Sequence, residues 1–81
     1  MSSPEIRFSH ARFVQDIADL LHLAPEELAL VEDPFEAGLD SVRLMVLVEQ
    51  WSKLGINIAF VELASRRSLG AWWTLIAPQL Q

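Results

Sequence analysis

The sequence predicts an all-α domain: a small four-helix bundle of three main helices and one short one, with a long loop between the first two. Two observations carry this. Apolar residues recur at helical spacing along most of the chain. The 81 residues are 52% hydrophobic and 9% aromatic, which is globular composition in a length that leaves room for one domain only, residues 1–81.

The first helix is predicted from about Ser9 to Leu21, where Phe13, Ile17, Leu20 and Leu21 form an i, i+4, i+7, i+8 stripe and Ser9 serves as N-cap. It ends before Ala24-Pro25, because proline disfavours helical backbone in the residue before it. Residues 25–40 carry two prolines, a glycine and most of the negative charge, so they read as a long loop with a short turn at Glu26–Leu30. Leu28, Val31 and Phe35 are its expected anchors. Long loops inside small domains are often functional.

The second helix is predicted to start at Asp40 or Ser41 and run to Lys53 or Leu54, with Gly55 as its stop. Leu44, Leu47, Val48, Trp51 and Leu54 wind onto one face, the core face. A short apolar segment follows, Ile56 to Ala64. Ile58, Val61 and Leu63 suit a brief helix against the core, although a strand fits the same residues. The last helix is expected from Ser68 to Leu75 or Ala77, ending near Pro78, with Leu69, Trp72, Trp73 and Ile76 as its apolar residues. Adjacent tryptophans cannot both face one core, so one belongs to the core and the other lies half-buried against the loop.

Charge and composition exclude several functions. The net charge of −5 is unevenly placed: residues 1–41 hold nine acids and two bases (−7), residues 42–81 two acids and four bases (+2). From Glu26 to Asp40 there is no base at all. Such a surface repels nucleic-acid phosphate, so no nucleic-acid partner is expected. Without cysteine there is no disulfide or thiolate metal site, and two isolated histidines make no metal cluster. Met1–Glu5 lacks the pattern of a signal peptide, and no apolar run is long enough to span a membrane. The expectation is a cytoplasmic protein with no membrane partner and no metal.

Chemistry concentrates at Glu36-Ala37-Gly38-Leu39-Asp40-Ser41-Val42, where the acidic loop meets the second helix. Read structurally, Asp40 is an N-cap and Gly38 relaxes a turn. Read functionally, a serine in the first helical turn presents its hydroxyl beside unpaired N–H groups and the positive end of the helix dipole, a field that favours an attached phosphate. Gly38, lacking a side chain, would let another protein's active site approach. Neither His10 nor His22 stands in a triad-like setting, so Ser41 reads as an acceptor activated by another enzyme.

These residues resemble the phosphopantetheine-dependent carrier proteins, and within them the aryl carrier proteins of siderophore-type nonribosomal peptide synthesis. The resemblance covers nearly the whole chain and centres on Gly38-Leu39-Asp40-Ser41, similar to the family's attachment motif. The aryl likeness rests on Asp40-Ser41-Val42-Arg43, Trp51, Phe60-Val61 before Leu63-Ala64, and Ala71-Trp72-Trp73. Val42 to Leu54 has only Glu49 against Arg43 and Lys53, unlike the acidic second helix of fatty-acid carriers.

The resemblance implies a bundle of the acyl-carrier type, not an enzyme. A phosphopantetheinyl transferase would move 4′-phosphopantetheine from coenzyme A to Ser41. An adenylating ligase would load an aryl acid of the 2,3-dihydroxybenzoate or salicylate type as a thioester. A condensation or cyclisation domain would then receive it, with tethering raising its effective concentration.

Val42 and Met45 turn away from the core stripe beside Ser41, and exposed methionine suits surfaces that accept several partners. Together with Phe60 and Ala64, four residues apart, they are the expected partner-docking residues; Val46 is ambiguous. Arg43 is either solvated or steers the phosphates of coenzyme A. Arg66 and Arg67 read as a solvated pair. Two other functions fit the same sequence: a carrier of acyl or peptidyl cargo, and a non-catalytic helical adaptor in which Ser41 is merely a capping position.

Overall fold

A computed structural model describes residues 8–80; the Met1–Glu5 segment considered above lies outside them. The described chain contains five α-helices and no strand: α1 His10–Leu21, α2 Pro25–Leu28, α3 Ser41–Lys53, α4 Phe60–Ala64 and α5 Leu69–Ile76, closed by a 3₁₀ turn at Ala77–Leu80. None is long and apolar enough to cross a membrane.

Each helix start is fixed locally. Ser9, Asp40 and Ser68 cap α1, α3 and α5 by accepting the N–H of Arg12, Arg43 and Ala71 at 3.2, 2.9 and 3.2 Å. The two short helices begin at alanines that have no side-chain oxygen to offer. There the third helical residue supplies a carboxylate instead: Glu27 accepts Ala24 N–H at 2.8 Å and Glu62 accepts Ala59 N–H at 3.1 Å. Helix ends use left-handed backbone, at His22 (φ 58°) after α1 and at Gly55 (φ 93°) after α3. The turn at Gly55 brings Ile56 N–H to the Trp51 carbonyl at 2.9 Å and buries Ile56 in the core.

Phe13, Ile17, Ala18 and Leu21 of α1, Leu44, Leu47 and Trp51 of α3, Leu63 of α4, and Trp72 and Ile76 of α5 form the core. Both buried indoles are satisfied. Trp51 Nε1 donates to Asp16 Oδ2 at 2.8 Å, and Arg12 Nε holds the same carboxylate at 2.9 Å. Trp72 Nε1 donates to the carbonyls of Leu63 (3.0 Å) and Arg66 (2.7 Å), which fixes α5 against the end of α4. Gln79 acts like a strand partner for the α3–α4 connection, accepting Asn57 N–H at 2.8 Å and donating to the Asn57 carbonyl at 2.9 Å.

Four expectations need correction. The Ile56–Ala64 segment is helical only from Phe60, and Val61 faces solvent at 68% exposure, because Leu63 takes the core side of so short a helix. Trp72 is the core tryptophan, yet it is also the one that meets the loop, edge-on to Phe35 at 6.0 Å. Half-buried Trp73 instead packs on α1, 4.7 Å from His10 and 5.1 Å from Phe13. Arg67 is not merely solvated, since its Nε donates to Asp33 Oδ2 at 2.7 Å.

Candidate attachment site

Gly38, Leu39, Asp40 and Ser41 each do something different. Gly38 has φ 117°, a conformation that L side chains rarely adopt, and an added Cβ would meet nothing within 4 Å. The backbone there is open to solvent. Leu39, 4% exposed, plugs into the core and anchors the loop from below. Asp40 has extended backbone and accepts Arg43 N–H at 2.9 Å, which starts α3. Ser41 is the first helical residue, exposed, and its hydroxyl makes no hydrogen bond among the described residues.

The N–H groups of Ser41 and Val42 likewise find no acceptor among the described residues, whereas Arg43 N–H is taken by Asp40 and Leu44 N–H by the Asp40 carbonyl at 2.9 Å. Two free donors at the positive end of a 13-residue helix therefore flank the serine. Arg43 leans back over the turn, its Nη1 3.3 Å from the Gly38 carbonyl, so its charge stays on this side of the molecule. A phosphodiester on the Ser41 oxygen fits this donor set, and the open backbone at Gly38 leaves room for it.

Beside the serine, Val42 is 71% and Met45 59% exposed. With Val46, Val48, Glu49, Ser52 and Phe60 they line a shallow, largely apolar hollow of about 620 Å³ between α3 and α4. Of the four expected docking residues, Val42, Met45 and Phe60 thus come together. Ala64 does not line the hollow and is half-buried against the core. Val46 belongs to the hollow, 40% exposed.

The loop leading to the serine is more ordered than its composition suggests. Leu28 is buried and Val31 and Phe35 pack on the core, as expected; Pro34 and Leu39 are buried as well. Asp33 ties the turn together. Partial desolvation raises its carboxyl, but the hydrogen bond from Arg67 and the backbone N–H groups of Phe35 and Glu36 outweigh it and hold the pKa below the ordinary 3.8. No histidine faces the serine as a base: His10 packs against Trp73, and His22 ends α1.

A family model described as phosphopantetheine attachment site matches residues 11–76. The chain belongs to this family. Family members carry 4′-phosphopantetheine covalently, and the chain is a carrier protein rather than an enzyme. Carrier domains of the family work with phosphopantetheinyl transferases and synthetase domains. The carrier is 42% identical over 65 residues to the acyl carrier protein ScoB of Streptomyces coeruleorubidus, covering 80% of this chain and 76% of that one. It is 45% identical over 67 residues to an isochorismatase of Bacillus subtilis (strain 168), covering 83% of this chain but 22% of the relative. A phenyloxazoline synthase, MbtB, of Mycobacterium sp. (strain MCS) matches at 34% over 61 residues, 75% of this chain and 5% of that protein. No solved structure matches the chain.

Proposed function

We propose that Ser41 is the residue that receives phosphopantetheine, and that the protein, acting as one carrier unit, holds an aryl acid for siderophore-type nonribosomal peptide synthesis. The observation that carries the first half is the free Ser41 hydroxyl at the first position of α3, with unpaired N–H groups beside it. The arm supplies a terminal thiol that a chain without cysteine lacks, and that thiol holds the cargo as a thioester. The chain's own residues do the rest. Gly38 keeps the approach to the hydroxyl clear, Leu39 and Asp40 fix the serine at the helix start, and the partner brings the base. Val42, Met45 and Phe60 offer an apolar seat to the transferase, an adenylating ligase and a condensation or cyclisation domain in turn, with half-buried Ala64 in the same short helix as Phe60.

Aryl cargo of the 2,3-dihydroxybenzoate or salicylate type is favoured by the sequence likeness described above. A phenyl-bearing product in the name of one matched synthase points the same way. A second reading, an acyl carrier for other cargo, is favoured by the name of the acyl carrier protein ScoB, 76% of which this chain covers. Loading separates them: the phosphopantetheinylated protein is offered to ligases specific for aryl, fatty and amino acids, and the acylated mass is read. Aryl loading alone is expected. Loading with only fatty or amino acids would overturn the aryl assignment.

A further inference from the structure

One charged side chain ties the loop that delivers Ser41 to a distant part of the chain. Arg67, between α4 and α5, donates from Nε to Asp33 Oδ2 at 2.7 Å across 34 residues of sequence. Its guanidinium carbon also lies 5.3 Å from the centre of the Phe35 ring. Asp33 spreads this hold along the backbone. Its Oδ1 accepts Phe35 N–H at 2.9 Å, and its carbonyl accepts Glu36 N–H at 3.1 Å and Ala37 N–H at 3.3 Å. The turn then closes on itself: the Phe35 carbonyl accepts Gly38 N–H at 3.3 Å, and the Pro34 carbonyl accepts Leu39 N–H at 3.1 Å. Residues 33–39 are thus one wound unit that ends where Asp40 caps α3.

We infer that Arg67 is a positioning residue for modification of the carrier: by clamping Asp33 and Phe35 it holds the 33–39 turn, and with it Gly38, in the conformation that a phosphopantetheinyl transferase binds. The inference rests on Ser41 being the attachment residue. An ion pair with an arginine 61% exposed contributes little to global stability, so its effect is local. Released from Arg67, the turn samples other conformations, and only the competent fraction binds the transferase. Apparent affinity falls by that fraction, while turnover at saturation is kept.

The test follows modification by coenzyme A and a broad transferase across a range of carrier concentrations. Arg67→Gln and Asp33→Asn are each expected to raise KM about fivefold with kcat within about twofold. The double variant is expected to be no worse than either single one, because both remove the same contact. Arg66→Gln, with the same change of charge one residue away, is expected to match wild type. Amide exchange at Gly38 and Leu39 should accelerate in Arg67→Gln while that of the middle of α3 does not. KM unchanged in both clamp variants, exchange unchanged at Gly38 and Leu39, or Arg66→Gln as impaired as Arg67→Gln, would each overturn the inference. Should Arg67→Gln fail to fold, Asp33→Asn decides by the same criteria. A wild-type protein that accepts no phosphopantetheine would instead refute the attachment at Ser41 itself.

Discussion

The helical bundle and the segment joining its first two long helices are held by different means. In the bundle, Ile17, Leu44, Leu47, Leu63, Trp72 and Ile76 are fully buried, and the indoles of Trp51 and Trp72 each find partners inside the protein. Residues 22–40 have only Leu28, Pro34 and Leu39 fully inside, with Leu23, Val31, Phe35 and Ala37 half-buried against the core, together with the ion pair from Arg67 to Asp33. Stability therefore resides in the first region, and presentation of the helix start at Ser41 in the second. The division suits a carrier, whose shape must persist while successive partners handle one exposed point.

Removing an indole from the bundle should have the largest effect. Trp72→Ala leaves a large cavity and removes the indole N–H from the carbonyls of Leu63 and Arg66, so we expect a loss of about 3–5 kcal/mol, a large share of what so small a domain holds. Denaturant unfolding reads this directly, and a loss under about 1 kcal/mol would mean that the bundle does not depend on its buried aromatics.

Acid should act next, and on the loop. A carboxyl whose pKa is depressed in the folded state contributes stability that is present above its ordinary value and is lost as the pH falls through the folded one. For Asp33 that loss lies below pH 3.8. Wild type should lose more thermal stability than Asp33→Asn as the pH falls below 3.8, with the two converging at the acid end. Parallel curves would show that the Arg67 clamp is not formed in solution.

The smallest effect on stability is expected from Met45→Ala. The side chain is largely in water, so unfolding should shift by less than about 0.5 kcal/mol. Phosphopantetheinylation should persist while transfer to a downstream domain slows; unchanged transfer would remove Met45 from the docking surface.

The same division explains what could be read from the sequence. Helical periodicity marked the core faces of α1 and α3, and Ser9, Asp40 and Ser68 cap the helices that follow them. Loop residues have no period to betray burial, so the burial of Pro34 and Leu39 leaves no mark in the sequence. Val61 was misassigned because a one-turn helix is too short for spacing to distinguish its faces. Contacts across long sequence separations, Arg67 with Asp33 and Gln79 with Asn57, leave no local signal at all. Gly38-Leu39-Asp40-Ser41 stood out through its likeness to the attachment motif of carrier proteins, since Asp40 and Gly38 alone read as ordinary helix-start and turn residues.

The most direct test is intact-protein mass spectrometry of wild type and Ser41→Ala after incubation with coenzyme A and a phosphopantetheinyl transferase. One added phosphopantetheine on the wild type and none on the variant is the predicted result. An unchanged wild-type mass, or a Ser41→Ala protein that still gains the group, would contradict the assignment.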